Sequence, residues 1–243
     1  MAPTWLTVIA WISQFLGFLI AGTILYDILG RGLRQPIRIM EAVWPITALY
    51  LGPLGWLYYA RLGRPTRIPG ARAHAEDNPL RWGAFISGTH CGAGCVLGDI
   101  IGEWAIYAGG VTIAGMALWP EYVVDFILAY VFGILFQYLA IKPMSQLTRR
   151  QALAHAIKAD TLSVIFFELG LFGWMALAFL VLFPQLRPDQ AAYWLMMQIG
   201  MALGLLTTYP VQIWLIWHGI KHAMGRSVLP AKLESQPMRQ VSG

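Results

Sequence analysis

Cysteine and charge are both scarce in this chain. Two cysteines, Cys91 and Cys95, occur in 243 residues, too few for the disulfide scaffold of a small secreted domain. Charged residues make up 12% of the sequence, about half the roughly 25% that soluble domains carry. No glycine-rich phosphate loop opens a helix, no HExxH zinc-protease signature occurs, and the cysteines are not spaced as CxxC. Nucleotide hydrolysis, zinc proteolysis and thioredoxin-like exchange therefore lack their usual motifs. No nucleophile–base pair stands out either, so the sequence favours a protein that is not an enzyme. His90 and His218 could ligate a haem, but nothing singles them out, and haem is not supported.

What the chain has instead is long apolar sequence. It is 58% hydrophobic, with 11 Trp, 10 Tyr and 11 Phe, and its mean hydropathy is +0.58. That composition fits an integral membrane protein whose first partner is the lipid bilayer. The pI near 9.4 fits basic loops lying against anionic lipid. Nucleic acid is set aside as a partner, because the basic residues are scattered through short loops rather than gathered in one patch. The first apolar stretch, TWLTVIAWISQFLGFLIAGTILYDIL, has no basic leader and is longer than a signal-peptide core, so it reads as a retained membrane helix.

A spanning helix needs about 20 mostly apolar residues. Six segments qualify: 4–29, 41–60, 83–109, 119–141, 160–183 and 191–219. The expected fold is therefore all-α, a polytopic membrane helix bundle of six spans over residues 1–220, followed by a flexible cytoplasmic tail over 221–243. With six spans and the N-terminus inside, thirteen Lys and Arg fall inside and four outside, and Arg31, Arg34 and Arg38 are the misfit. If 41–60 is instead a re-entrant hairpin, the count becomes sixteen against one, with five spans. Pro53 in LGPLG would suit such a break. The tail is cytoplasmic in both arrangements, because basic loops stay inside.

The stretch THCGAGCVLGDIIGEW, residues 89–104, holds most of the chemistry. On a helix, residues four apart lie nearly above one another. Cys91, Cys95, Asp99 and Glu103 keep that spacing without a break and form one stripe. Gly94, Gly98 and Gly102 form a second, a small-residue face that lets membrane helices approach closely. Ionisable groups at membrane depth are costly and usually functional. Pairing of Asp99 and Glu103 with Lys158 is the structural alternative. Thiolate and imidazole suit Cu(I) or zinc, which makes His90, Cys91 and Cys95 candidate ligands, with Met197 and Met201 to complete a site. Buried thiols or a Cys91–Cys95 disulfide pair, and core methionines, are the plainer readings of the same residues. Asp160, Glu168 and Gln198, with Lys158, would add to a polar or proton-carrying route. Gln137 contributes one more polar group, and Asp125 reads as near the outer interface.

The motifs HCGAGCVLGDIIGEW, FQY (136–138), AIKADTLSVIFFELGLFGWMAL and WLMMQIGMALGLLTTYPVQIWLI, with VWPITALYLGPLG at 43–55, occur in order. Over residues 35–225 the chain resembles a bacterial integral-membrane family of unknown function. The resemblance implies a bacterial inner-membrane location. Some members of that family look like neighbours or fusions of copper-handling proteins, which the resemblance adds to the soft-metal idea. Four functions follow as expectations. The first is a copper-type transporter or channel with a Cys/His/Met site, and the second a proton- or cation-coupled carrier or channel relying on Asp99, Glu103 and Glu168. The others are a membrane redox enzyme and an assembly subunit. A homo-oligomer is compatible with all four.

Overall fold

The computed structural model describes residues 3–64 and 79–221. Seven helices are present and no strand among the described residues: α1 (Thr4–Leu29), α2 (Met40–Leu51), α3 (Pro53–Tyr58), α4 (Pro79–Gly109), α5 (Leu118–Met144), α6 (Arg149–Leu177) and α7 (Ala191–Trp217). A π-helical turn extends α3 over Tyr59–Gly63, and another extends α6 over Ala178–Leu182. Five of these helices are long and apolar enough to cross a membrane. The polar tail after Lys221, and most of the basic loop over 61–82, lie outside the described residues.

The sixth expected span, 41–60, is not one helix. Gly52 adopts φ +53, a backbone geometry that glycine tolerates best. Pro53 then starts a new helix in the position where its missing N–H costs nothing. The two pieces run antiparallel. A Cβ on Gly55 would stand 2.8 Å from the Cα of Ala48, the Trp44 and Tyr59 rings meet edge to face at 5.8 Å, and Gly63 abuts the Trp44 indole. Trp44 and Gly63 would be about 28 Å apart along one straight helix. Residues 40–63 are thus a helical hairpin whose two ends emerge on the same side.

That hairpin is fastened at both ends. At its open end, Asp27 of α1 takes ion pairs from Arg31 at 3.0 Å and Arg64 at 2.8 Å. At its tip, Gln198 of α7 donates to the Leu49 carbonyl at 2.6 Å and accepts from Ser13 of α1 at 2.7 Å. Gly17 of α1 makes room for the same carbonyl, since a Cβ there would stand 2.9 Å from it. Pro53 has no N–H to offer the Leu49 carbonyl one turn earlier, and Gln198 satisfies that carbonyl instead.

The remaining helices alternate in direction. α6 starts earlier than the apolar run predicts, because Thr148 and Gln151 form a reciprocal capping box; most of the expected loop over 142–158 is therefore helical. α4 is the central helix, packed on α2, α5, α6 and α7. The outward faces are apolar, with Trp11, Phe15 and Phe18 of α1 and Val123, Ile127 and Val131 of α5 all exposed.

Candidate functional site

The site begins with glycine on α4. A Cβ on Gly94 would lie 2.8 Å from the Gly133 Cα of α5, one on Gly98 would strike the Ala129 amide, and one on Gly102 would strike Asp125 Oδ1. These contacts set an antiparallel register with backbones in direct apposition, as small residues at four-residue spacing allow. The same register places His90 opposite Gln137. A second glycine seam, Gly170 against Gly204, joins α6 to α7; a Cβ on Gly170 would stand 2.9 Å from the Gly204 Cα.

Beside this seam runs a file of ionisable side chains. Lys221 Nζ donates to Asp160 Oδ1 at 2.9 Å. Asp160 lies beside Cys91, and Cys91 beside Cys95. Cys95 lies beside Glu168, whose charge reaches Asp99. Asp99 in turn neighbours Asp125 and Glu103, and Glu103 adjoins Tyr193 and Glu121. Along α4, the step from Cys91 to Glu103 covers about 18 Å at 1.5 Å per residue. From Lys221 to Glu103, none of the members Asp160, Cys91, Cys95, Glu168, Asp99 and Asp125 is more than 3% exposed.

Most of the file is unpartnered. Both carboxylate oxygens of Asp99 and of Glu168 lack a hydrogen bond among the described residues, as do Asp160 Oδ2, Asp125 Oδ1 and Glu103 Oε2. A buried charge without a counter-ion is costly enough that such a group holds a proton or shares a cation. Among the described residues Lys221 is the cation paired with an acid of the file, and the carboxylate it serves is Asp160. Both ring nitrogens of buried His90 are likewise without partners among the described residues, and its ring lies 6.1 Å from that of Phe136.

The residues singled out in the sequence fall into three groups. Cys91, Cys95, Asp99, Glu103, Asp160 and Glu168 come together in the file, and both cysteines are free thiols. Met197 and Met201 are buried in the same apolar cluster as the two cysteines, while His90 lies on the α5 side of α4. Among the described residues, no three of His, Cys, Asp and Glu converge closely enough to hold a metal ion. Two expected members of the route belong elsewhere. Lys158 is exposed on the outer face of α6, and Gln198 is fully engaged at the hairpin tip.

Three residues of the site were not legible as such in the sequence. Asp125 is 1% exposed and enters the α4–α5 seam; its signal is its place four residues before Ala129 and eight before Gly133, the stripe that meets the α4 glycines. Lys221 stands in the sequence at the start of the polar tail. Tyr193 carried no signal that set it apart from other aromatic residues.

Fold and site together define a helical bundle with five long apolar helices, a folded-back hairpin and a buried acid–thiol file. The chain belongs to the family described as Domain of unknown function (DUF4396), which matches residues 81–221. The match covers the whole file but not the hairpin, so it is narrower than the resemblance over 35–225. No curated protein and no solved structure matches the chain.

Proposed function

We propose that this protein is a five-span membrane protein that passes protons or small cations along the buried file between α4, α5 and α6. The observation that carries this reading is the pair Asp99 and Glu168: buried, within electrostatic reach of one another, and with four carboxylate oxygens free of hydrogen bonds among the described residues. Intramembrane acids of this kind mark ion pathways and proton relays. The hairpin enters from the end at which α1 finishes, and it does not cross. Arg31, Arg34, Arg64, Lys142, Arg149 and Lys221 then lie at one end of the bundle, with Arg187 at the other. The basic end faces the cytoplasm by the positive-inside rule.

The test is flux in liposomes holding a pH-sensitive dye, driven by an imposed membrane potential. Wild type should carry protons above empty vesicles. Asp99→Asn and Glu168→Gln should each lose flux by about tenfold or more, since even about 1.4 kcal/mol added to a barrier has that effect. Wild-type flux equal to that of empty vesicles, or full flux in both variants, would sink the reading.

A second reading, soft-metal transport, keeps one specific support. The two free thiols touch, and Met197 and Met201 are buried in the same cluster; thiolate and thioether are the donors that select Cu(I). Metal content of detergent-purified wild type beside Cys91→Ala/Cys95→Ala decides it. Copper or zinc near one equivalent that disappears in the variant is required.

A further inference from the structure

The basic end of the file is closed by an unusual piece of chain. α7 ends at Trp217, and Gly219 takes φ +67, while the amides of Ile220 and Lys221 both donate to the Leu215 carbonyl, at 3.0 and 3.2 Å. A left-handed glycine with such back-bonding is a common way to end a helix. Here it turns the chain inward and places Lys221 inside the bundle. A lysine at a helix end ordinarily extends its long stem toward water. Lys221 does the opposite, for its side chain is 0% exposed, as is that of Asp160, to which it is bonded at 2.9 Å.

Its position matters more than the pair's contribution to stability. Asp160 is the first acid of the file, and it adjoins Cys91. The charge of Lys221 also acts on His90, one residue away on the same turn of α4. An ammonium held at that point occupies the place a mobile cation would take beside Asp160, and it repels any second cation approaching the thiols. Protons are not obstructed in the same way. Asp160 Oδ2 has no partner among the described residues, and the thiols beyond it can both give and accept a proton.

We propose that Lys221 is the selectivity residue of the file, a tethered ammonium that closes its basic mouth to free metal cations and leaves it to protons. This rests on the reading above and narrows the carried species from protons or small cations to protons. Fixed positive groups repel ions of their own sign in other membrane pathways; a proton passes Lys221 not as a free ion but by transfer between Asp160 and the thiols, groups that both give and accept it.

The test uses silver ion, a small monovalent cation that binds thiols and displaces their protons. Purified full-length chain in detergent is exposed briefly to silver and desalted, and bound silver per chain is then measured by mass spectrometry. Lys221→Gln should take up silver at least about tenfold faster than wild type, the lower end of what a local charge does to ion association. Lys221→Arg should behave as wild type. Uptake should disappear when Cys91→Ser and Cys95→Ser are added to Lys221→Gln. Because Lys221→Gln leaves Asp160 without its partner and can fail to fold, Lys221→Met/Asp160→Asn serves beside it and should also admit silver. Wild type that binds silver as fast as these variants overturns the proposal, as do variants that bind no more than wild type. The measurement needs no flux, so it fails or succeeds independently of the liposome assay on Asp99 and Glu168.

Discussion

Asp125 Oδ1 stands in the space that a Cβ on Gly102 would fill. A carboxylate from α5 is thus admitted into the α4–α5 seam because α4 has no side chain at that point. Gly102→Ala should displace the carboxyl group and leave the fold in place, because the obstruction is the end of a side chain. Gly98→Ala meets backbone at Ala129 instead, which cannot swing aside, so overpacking there should cost about 1–3 kcal/mol. Thermal unfolding in detergent checks the order: Gly98→Ala should melt clearly lower than Gly102→Ala. Proton flux should fall in Gly102→Ala even though its stability is nearly kept.

Gln198 holds the hairpin tip through one donated and one accepted bond. Gln198→Met keeps the length of the side chain but loses both the N–H that serves the Leu49 carbonyl and the oxygen that accepts from Ser13. A buried acceptor left unpaired costs about 1–3 kcal/mol, and the loss should fall on the hairpin first. Hydrogen exchange over 40–63 should speed up in Gln198→Met and Gln198→Leu alike, with α4 little changed. Equal protection in wild type and both variants would mean that the tip is held by packing alone.

The long helices were legible because 20-residue apolar runs have few other uses in a chain this poor in charge. The stripe from Cys91 to Glu103 was legible because a four-residue period on a helix is a geometric statement. The hairpin was harder to read. An apolar run over 41–60 looks the same whether it crosses or turns back, and only Gly52, Pro53 and the misplaced Arg31, Arg34 and Arg38 hinted at the turn. Partners of side chains were not legible at all. Gln198 meets Ser13 across 185 residues of sequence, and Lys221 rather than Lys158 meets the buried acid because a turn at Gly219 points it inward. Such pairings depend on how helices pack, which no local pattern encodes.

The Lys221–Asp160 pair predicts a non-additive cycle. Removing one partner of a buried ion pair typically costs about 3–5 kcal/mol, because the other charge is left alone in an apolar site. Lys221→Met and Asp160→Asn should each be strongly destabilised. The double variant should recover most of the loss, giving a coupling energy of about 2 kcal/mol or more in a double-mutant cycle. Additive losses would show that the two side chains act independently and that burial of the lysine stem, rather than its charge, holds the end of α7 in place.

The folded-back hairpin makes the strongest statement about topology. A crossing at 41–60 would give six spans and put both termini on one face. A hairpin that returns to its own side gives five and puts the termini on opposite faces; with the basic end toward the cytoplasm, as proposed, the N-terminus is outside and the end of α7 inside. Asp27 gripping both Arg31 and Arg64 can be true only if the end of α1 and the end of the hairpin share a face, which a spanning 41–60 forbids. Single cysteines in a Cys91→Ser/Cys95→Ser background, probed in intact cells with a membrane-impermeant thiol reagent, read this directly. Positions in the 110–117 and 183–190 loops and before Thr4 should be labelled from outside; position 34 and the 145–148 loop should be labelled only after the membrane is opened. Labelling of position 34 from outside, with both the N-terminus and the 145–148 loop protected, would restore the six-span arrangement and separate Asp27 from Arg64 by a membrane, an outcome incompatible with an ion pair at 2.8 Å.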